Sequence, residues 1–512
     1  MTPVSRPSLL ASLGLLAAFL APMLRGADRT DDRRKPNIVF ILADDLGWAD
    51  LGCYGSTFHE TPNLDNLATQ GMRFTDAYAA GCVCSPTRAS IMTGKYPARL
   101  HLTDWLPGQP DRPFHKLKRP PIEQSLSPRE FTVAKALKAA GYRTAFIGKW
   151  HLGKSPDCWP EHQGFDLNVA GNGHGHPPSY FSPYGFPNLT NGPRGEYLND
   201  RLTEEALSFI DAAKDGPFFL YLPHYAVHLP LQAKADAVKK YRGKAAALSK
   251  PRHAVVEDRG WKVRQVQNNP VYAAMVESMD ESVGRILGRL TELGLDKNTI
   301  VIFTSDNGGL STGPSPTSNL PLRGSKGWPY EGGIREPLIV RWPGVTKPGS
   351  VSGVPVISTD YFPTILQMAG LPPLPGQHLD GASFVPALEG EKSPDRPLFW
   401  HYPHYSINGG TPSGAVRRGD FKLVEWFEDM STELFDLRHD PGEHVDLSKE
   451  NPEKTQELKS LLHAWRRDVN AQLPEPNPKY RPETDPSARK PAGREKASGP
   501  KQGESGPIHS ED

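Results

Sequence analysis

The sequence predicts an α/β protein: a large sheet, mainly parallel, with helices on both faces, followed by a smaller α+β region built on short strands. Three observations carry that expectation. Apolar strand-like runs alternate several times with amphipathic helical patterns. Polar residues gather just after the ends of those runs. Near Pro394 the pattern changes to short, aromatic-rich strands separated by turns. At 512 residues the chain can bury a substantial core.

Taken in order, residues 1–27 have the layout of a signal peptide: Arg6 near the start, an apolar stretch from Leu9 to Leu24, then Gly26 and Ala27. The run is short for a membrane span, although an uncleaved N-terminal anchor is the competing reading. Export, to a periplasm or to the outside, is the expectation, with no membrane span in the mature chain. A charged spacer, 28–35, precedes the fold. NIVFILA (37–43) reads as a buried strand and NLDNLATQG (63–71) as a short helix stopped by Gly71. FTVAKALKAAGY gives a helix closing at Gly141, and RTAFIG (143–148) a strand. Helix 202–215 precedes strand 217–222, and helix 272–294 precedes strand 299–304. We expect a main domain over 36–390 and a C-terminal one over 391–473, the latter ending in a helix at 454–473. From Pro474 the chain is rich in Pro, Lys, Glu, Ser and Gly, so 474–512 is expected to be a disordered tail.

Charge narrows the function classes. Lys and Arg total 59 against 58 Asp and Glu, so no global field favours nucleic acid or an anionic membrane. The four cysteines, Cys53, Cys82, Cys84 and Cys158, are too few for a disulfide framework, though one or two bridges remain possible. Cys82 and Cys84 lack the C-x-x-C spacing of redox or zinc motifs.

In open α/β sheets ligands bind beyond the carboxyl ends of strands. There the sequence places Asp44-Asp45, Asp306-Asn307, Lys149 with His151, and His224 with His228. Three carboxylates and an amide form a hard-oxygen set suited to Ca²⁺ or Mg²⁺ rather than zinc. Lys149, His151 and His228 beside such a metal describe a site for an anionic group, with histidines to move protons. Ser85 and Pro86 read as the start of a helix ended by Gly94, which sets Cys84 at its N-terminus. Arg88, four residues on, is one turn away. The residues alone leave Cys84 open between an activated nucleophile and a buried structural thiol.

The run from Cys84 to Lys95, C-S-P-T-R-A-S-I-M-T-G-K, resembles the signature of the type I, formylglycine-dependent sulfatases. GKWHLGK (148–154), VHLP around His228, SDNGG (305–309) and LRGSKGWPYEGGIREP (322–337) are similar to further motifs of that family, in collinear order over about 36–470. The resemblance implies an alkaline-phosphatase-like fold, a large mixed sheet between helices with a small C-terminal antiparallel sheet. It also implies oxidation of Cys84 to formylglycine (3-oxoalanine) by a maturation enzyme. The hydrated aldehyde would attack sulfur with one hydroxyl and expel sulfate through the other. Carried over by position, Asp44, Asp45, Asp306, Asn307 and the modified Cys84 are implied Ca²⁺ ligands. Arg88 and Lys149 resemble the residues that hold the hydrate, His151 the base that expels sulfate, and His228 with Lys326 the residues that bind sulfate and assist the leaving alcohol.

The alcohol half is read by loops, for which 102–117, 172–187 and FWHYPHYS are candidates, with Asp104, Trp105, His174 and His176 as expected substrate contacts. TDW-x-PG with SYFSPY resembles sulfatases of sulfated galactose or N-acetylgalactosamine, so the expected substrate is a sulfated carbohydrate. Two rival classes stand beside it: a phosphodiesterase or phosphonate hydrolase of the same superfamily, and an inactive secreted glycan-binding protein.

Overall fold

The strand Asn37–Ala43 is buried along its whole length and alternates its side chains between two cores, which sets the architecture. Val39 and Ile41 face one cluster with the helices Pro62–Gln70, Leu198–Ala213 and Pro270–Glu292. Ile38, Phe40 and Leu42 face the other, with Val133–Ala139 and Tyr361–Met368. This is a computed structural model, describing residues 35–249, 253–313 and 315–484. The signal-peptide segment and residues 485–512 lie outside the described residues.

Nine strands form the large sheet. Across it run Ser350–Ser352, Met72–Tyr78, Arg335–Arg341, Thr299–Ser305, Asn37–Ala43, Phe218–Pro223, Arg143–Ile147 and Leu167–Val169, with Val356–Ile357 also on Met72–Tyr78. Asn37–Ala43 pairs in parallel with Thr299–Ser305 and with Phe218–Pro223, which in turn pairs in parallel with Arg143–Ile147. Arg335–Arg341 runs antiparallel between Thr299–Ser305 and Met72–Tyr78, which makes the sheet mixed. The expected helices and strands are present with ends shifted by a few residues. The helix expected at 202–215 begins at Leu198, and that expected to reach 473 spans Pro452–Asp468.

Leu398–Tyr402, Ser413–Arg418, Phe421–Trp426 and Thr432–Asp436 form a four-stranded antiparallel sheet in sequence order. The helix Pro452–Asp468 covers it through Leu458, Leu462 and Trp465, whose indole stacks on Phe399 with ring centroids 4.7 Å apart. The same core takes in Tyr78, Cys82, Val83 and Tyr96, so the small sheet is packed on the segment leading to Cys84.

The tail is ordered further than its composition suggests. Glu475–Pro476 pairs with Leu117–Lys118, and the Asn477 amide donates to the carbonyls of Arg112 and His115. Backbone pairing and one side chain supply the contacts that apolar residues do not. No helix among the described residues is long and apolar enough to cross a membrane.

Candidate active site

Because the four central strands are parallel, their carboxyl ends open on one side and deliver their polar residues to one cup. Asp44 and Asp45 follow Asn37–Ala43, Asp306 and Asn307 follow Thr299–Ser305, Lys149 and His151 follow Arg143–Ile147, and His228 follows Phe218–Pro223. Asp45 and His151 have φ of 61° and 57°, a left-handed backbone that non-glycine residues adopt at a cost of about 1–3 kcal/mol and that recurs at functional sites. Gly148, at φ 129°, lets the chain pass the Pro223 carbonyl, where a Cβ would lie 1.9 Å from the oxygen.

Three carboxylates face three cations here, all buried. Lys149 Nζ lies 2.6 Å from Asp44 Oδ2, and Lys326 Nζ 2.6 Å from Asp45 Oδ1. Arg88 binds Asp306 Oδ2 through Nε at 2.8 Å and also donates to the Lys149 carbonyl. Its bonds go to these groups, while residue 84 lies within its electrostatic reach. Burial raises the Asp44 carboxyl well above the ordinary range despite Lys149. At Asp45 burial acts the same way but is outweighed by Lys326, His228 and Lys149, and its carboxyl is lowered. Burial, with Lys149 beside His151 and Lys326 beside His228, holds both imidazoles well below the usual histidine range.

The donor set suits a hard cation. Asp44 Oδ1 and Asn307 Oδ1 are buried without a hydrogen-bond partner, and Asp44, Asp45 and His228 bring one ligand atom each within 4.8 Å of one another. Buried oxygens are seldom left unpaired unless something else satisfies them. Asn307 Nδ2 donates to Asp45 Oδ1 at 2.8 Å, which orients its amide. Oxygen-rich donors of this kind fit Ca²⁺ or Mg²⁺.

Cys84 opens the helix Cys84–Thr93, which ends at Gly94 in the left-handed region. The N-cap is Val83 and not Ser85 as expected, because the Ser85 hydroxyl is taken by the His151 carbonyl at 2.9 Å. Cys84 is therefore the first helical residue, with its Sγ 3.3 Å from His151 Nδ1. All four cysteines are free, so Cys82 and Cys84 are no pair.

Of the expected substrate contacts, the structure brings two to the mouth of the cup. His176 is exposed, with its ring parallel to that of His228 at 6.1 Å, and His174 is exposed on the same loop, Nδ1 2.7 Å from Asn172 Oδ1. A Cβ on the intervening Gly175 would lie 2.6 Å from the His151 ring, so this loop rests on the site. Asp104, the third, is fully buried, and its carboxylate accepts from Trp105 N, Gln109 N and Tyr402 Oη. Trp105 is half-buried against the small-sheet core, its indole Nε1 enclosed without a partner.

Asp50 escaped the sequence reading. Buried six residues beyond Asp44, it accepts from Gly47 N, Tyr272 Oη, Gln267 Nε2 and Thr317 Oγ1, and so ties down the turn that carries Asp44 and Asp45. Its one signal was a third aspartate in DDLGWAD.

Comparison with known proteins adds to this geometry. The sulfatase family profile matches residues 36–371, and the profile for the C-terminal part of N-sulphoglucosamine sulphohydrolase matches 325–471. The chain is similar to a sulfatase of Formosa agariphila, 33% identical over 88% of this chain and 92% of the relative. It is likewise similar to N-acetylgalactosamine-6-sulfatase of Mus musculus, 34% identical over 89% of this chain and 83% of the relative. Among solved structures, Ps i-CgsB in complex with k-i-k-neocarrahexaose superposes with a TM-score of 0.70 at 30% identity, covering 85% of this chain and 94% of that one.

Proposed function

The chain belongs to the sulfatase family, a family of sulfuric ester hydrolases with the alkaline-phosphatase-like fold, and from that premise we propose how its cup works and on what. The substrate is a sulfated carbohydrate of the galactose or N-acetylgalactosamine type. The names of the mouse relative and of the oligosaccharide in Ps i-CgsB support that class.

The observation that carries the mechanism is the position of Cys84, at the head of a helix, 3.3 Å from an imidazole nitrogen and beside three buried cations. We assign it as the precursor of formylglycine, formed during export by a maturation enzyme. Formylglycine supplies a hydrated aldehyde with two hydroxyls, where serine or cysteine offers one nucleophilic atom. Asp44, Asp45, Asp306, Asn307 and residue 84 would hold Ca²⁺, which supplies Lewis-acid polarisation of a sulfate oxygen. Lys149 and Lys326 bind the sulfate through their ammonium groups, and Arg88 holds the Asp306 carboxylate in place. His151, kept neutral by its burial and by Lys149, takes the proton from residue 84 through Nδ1. Lys326 and His228, on the more open side, serve the departing alcohol. His174 and His176 contact the sugar.

The test is sulfate release. Protein coexpressed with a formylglycine-generating enzyme, supplied with Ca²⁺, should liberate sulfate from regiodefined sulfated galactose or N-acetylgalactosamine saccharides. Faster cleavage of a phosphodiester such as bis(p-nitrophenyl) phosphate than of any sulfate ester would overturn the reading.

A further inference from the structure

The proton on His151 is located by its neighbours. Its Nε2 lies 2.7 Å from the Leu106 carbonyl oxygen, which can only accept, so the hydrogen of the neutral ring is on Nε2. Nδ1, 3.3 Å from Cys84 Sγ, then carries the lone pair. The opposite tautomer would present a donor to the residue from which His151 must accept.

Leu106 is held on both sides of its peptide group. Its N–H donates to Ser85 Oγ at 3.2 Å, and the Ser85 hydroxyl donates to the His151 carbonyl at 2.9 Å. Two residues before Leu106 lies the buried Asp104. Its Oδ1 accepts from Trp105 N at 2.9 Å and Tyr402 Oη at 3.0 Å, and its Oδ2 from Gln109 N at 3.3 Å, so the carboxylate spans the turn that displays the Leu106 carbonyl. Tyr402 ends the strand Leu398–Tyr402, and two residues on His404 Nε2 lies 2.8 Å from Thr103 Oγ1. The last strand residue and the segment after it therefore hold the turn at Asp104 and Thr103. Outer partners that fix the tautomer of a metal-bound imidazole are worth about 10–100-fold in affinity or activity, and the same scale is taken for this base.

We infer that Asp104 and Tyr402 are positioning residues for His151: they fix the Leu106 carbonyl as acceptor for Nε2 and so leave Nδ1 as the nitrogen that accepts from residue 84. The small sheet thereby reaches the reaction without touching substrate. This rests on the assignment of His151 as the base, made above.

The test uses the full chain with ¹⁵N-labelled histidine. Long-range ¹H–¹⁵N spectra report which ring nitrogen is protonated, and the His151 signals are identified by their loss in His151→Gln. Wild type should show Nε2–H with a bare Nδ1. Asp104→Asn, whose amide cannot accept from all three donors, and Tyr402→Phe, which lacks only a hydroxyl, should shift His151 towards a mixture of tautomers. In matured enzyme both should lower kcat by about 10–100-fold with KM within about twofold. If Asp104→Asn folds poorly, Tyr402→Phe alone carries the comparison. An Nδ1–H tautomer in wild type, or wild-type spectra and kcat in Tyr402→Phe, would overturn the inference. Spectra as expected in a protein that releases no sulfate would uphold the positioning and count against the proposed reaction.

Discussion

Two buried ionic clusters sit one at each sheet, and they are built on opposite principles. In the cluster at the small sheet, charges close on each other. Lys422 lies 2.9 Å from both Glu331 and Glu443, Arg335 reaches Glu331 and Asp76, and Arg417 reaches Asp76 and Tyr78. Glu331 is pulled down to about 2, since Lys422 and the two arginines outweigh its burial. Glu443, buried and beside Glu331, rises to about 7. In the cup the cations are as many as the carboxylates, yet Asn307 Oδ1 and Asp44 Oδ1 accept no hydrogen bond, the latter having only Arg88 at 3.7 Å, and two histidines are kept neutral. A network closed by short ion pairs serves the fold, while buried oxygens that accept no hydrogen bond suit a cation. Breaking each should therefore cost different things.

The largest effect belongs to the cup. Cys84→Ala should reduce sulfate release by about 10⁴-fold or more, with a denaturant midpoint equal to that of wild type. A stability loss of the same order as the activity loss would erase the contrast between the clusters. In the closed network the signs reverse. Lys422→Met leaves Glu443 buried without its cation and Glu331 with Arg335 alone, and should destabilise by about 3–5 kcal/mol in urea unfolding. Molecules that remain folded should keep the wild-type KM.

Ligand removal sharpens the distinction next. Ca²⁺ at a hundred times its dissociation constant should stabilise wild type by about 2.7 kcal/mol, reversed by a chelator, and Asp44→Asn should lose that gain. Lys422→Met should keep it. An equal Ca²⁺ response in Asp44→Asn would remove the metal from the cup.

The smallest effect treats both regions alike. His224, beside the cup, is lowered by burial to about 4, and His401, on the small sheet, to about 3 by burial and Arg466. Both stay neutral in the folded chain, whereas in the unfolded chain they bind protons below about 6.5. Stability from this source is complete above that pH and falls as the solution is acidified towards 4, by up to about 1.4 kcal/mol per pH unit for each histidine. His224→Gln and His401→Gln should each flatten the acid limb of a stability–pH curve by similar amounts.

Local pattern made much of this legible. Strand-end pairs such as Asp44-Asp45 and Asp306-Asn307 could be read because each follows an apolar run whose direction is set by the parallel sheet. What escaped depends on partners far along the chain. Arg335–Arg341 inserts antiparallel beside Thr299–Ser305 through pairing that no periodicity announces. The burial of Asp104 could not be read because an aspartate in a loop carries no mark of facing inward, and its donor Tyr402 is 298 residues away. Ser85 matched the rule for a helix cap, but its hydroxyl answers a carbonyl from another strand end.

The central claim is that the cup acts through a modified residue 84, and one measurement addresses it directly. Protein matured to different extents should be assayed for sulfate release from a sulfated galactose or N-acetylgalactosamine saccharide, while mass spectrometry of the peptide containing residue 84 gives the fraction carrying an aldehyde in place of the thiol. Turnover should rise in proportion to that fraction and extrapolate to zero with unmodified Cys84. Full turnover from protein whose residue 84 is entirely cysteine would contradict it.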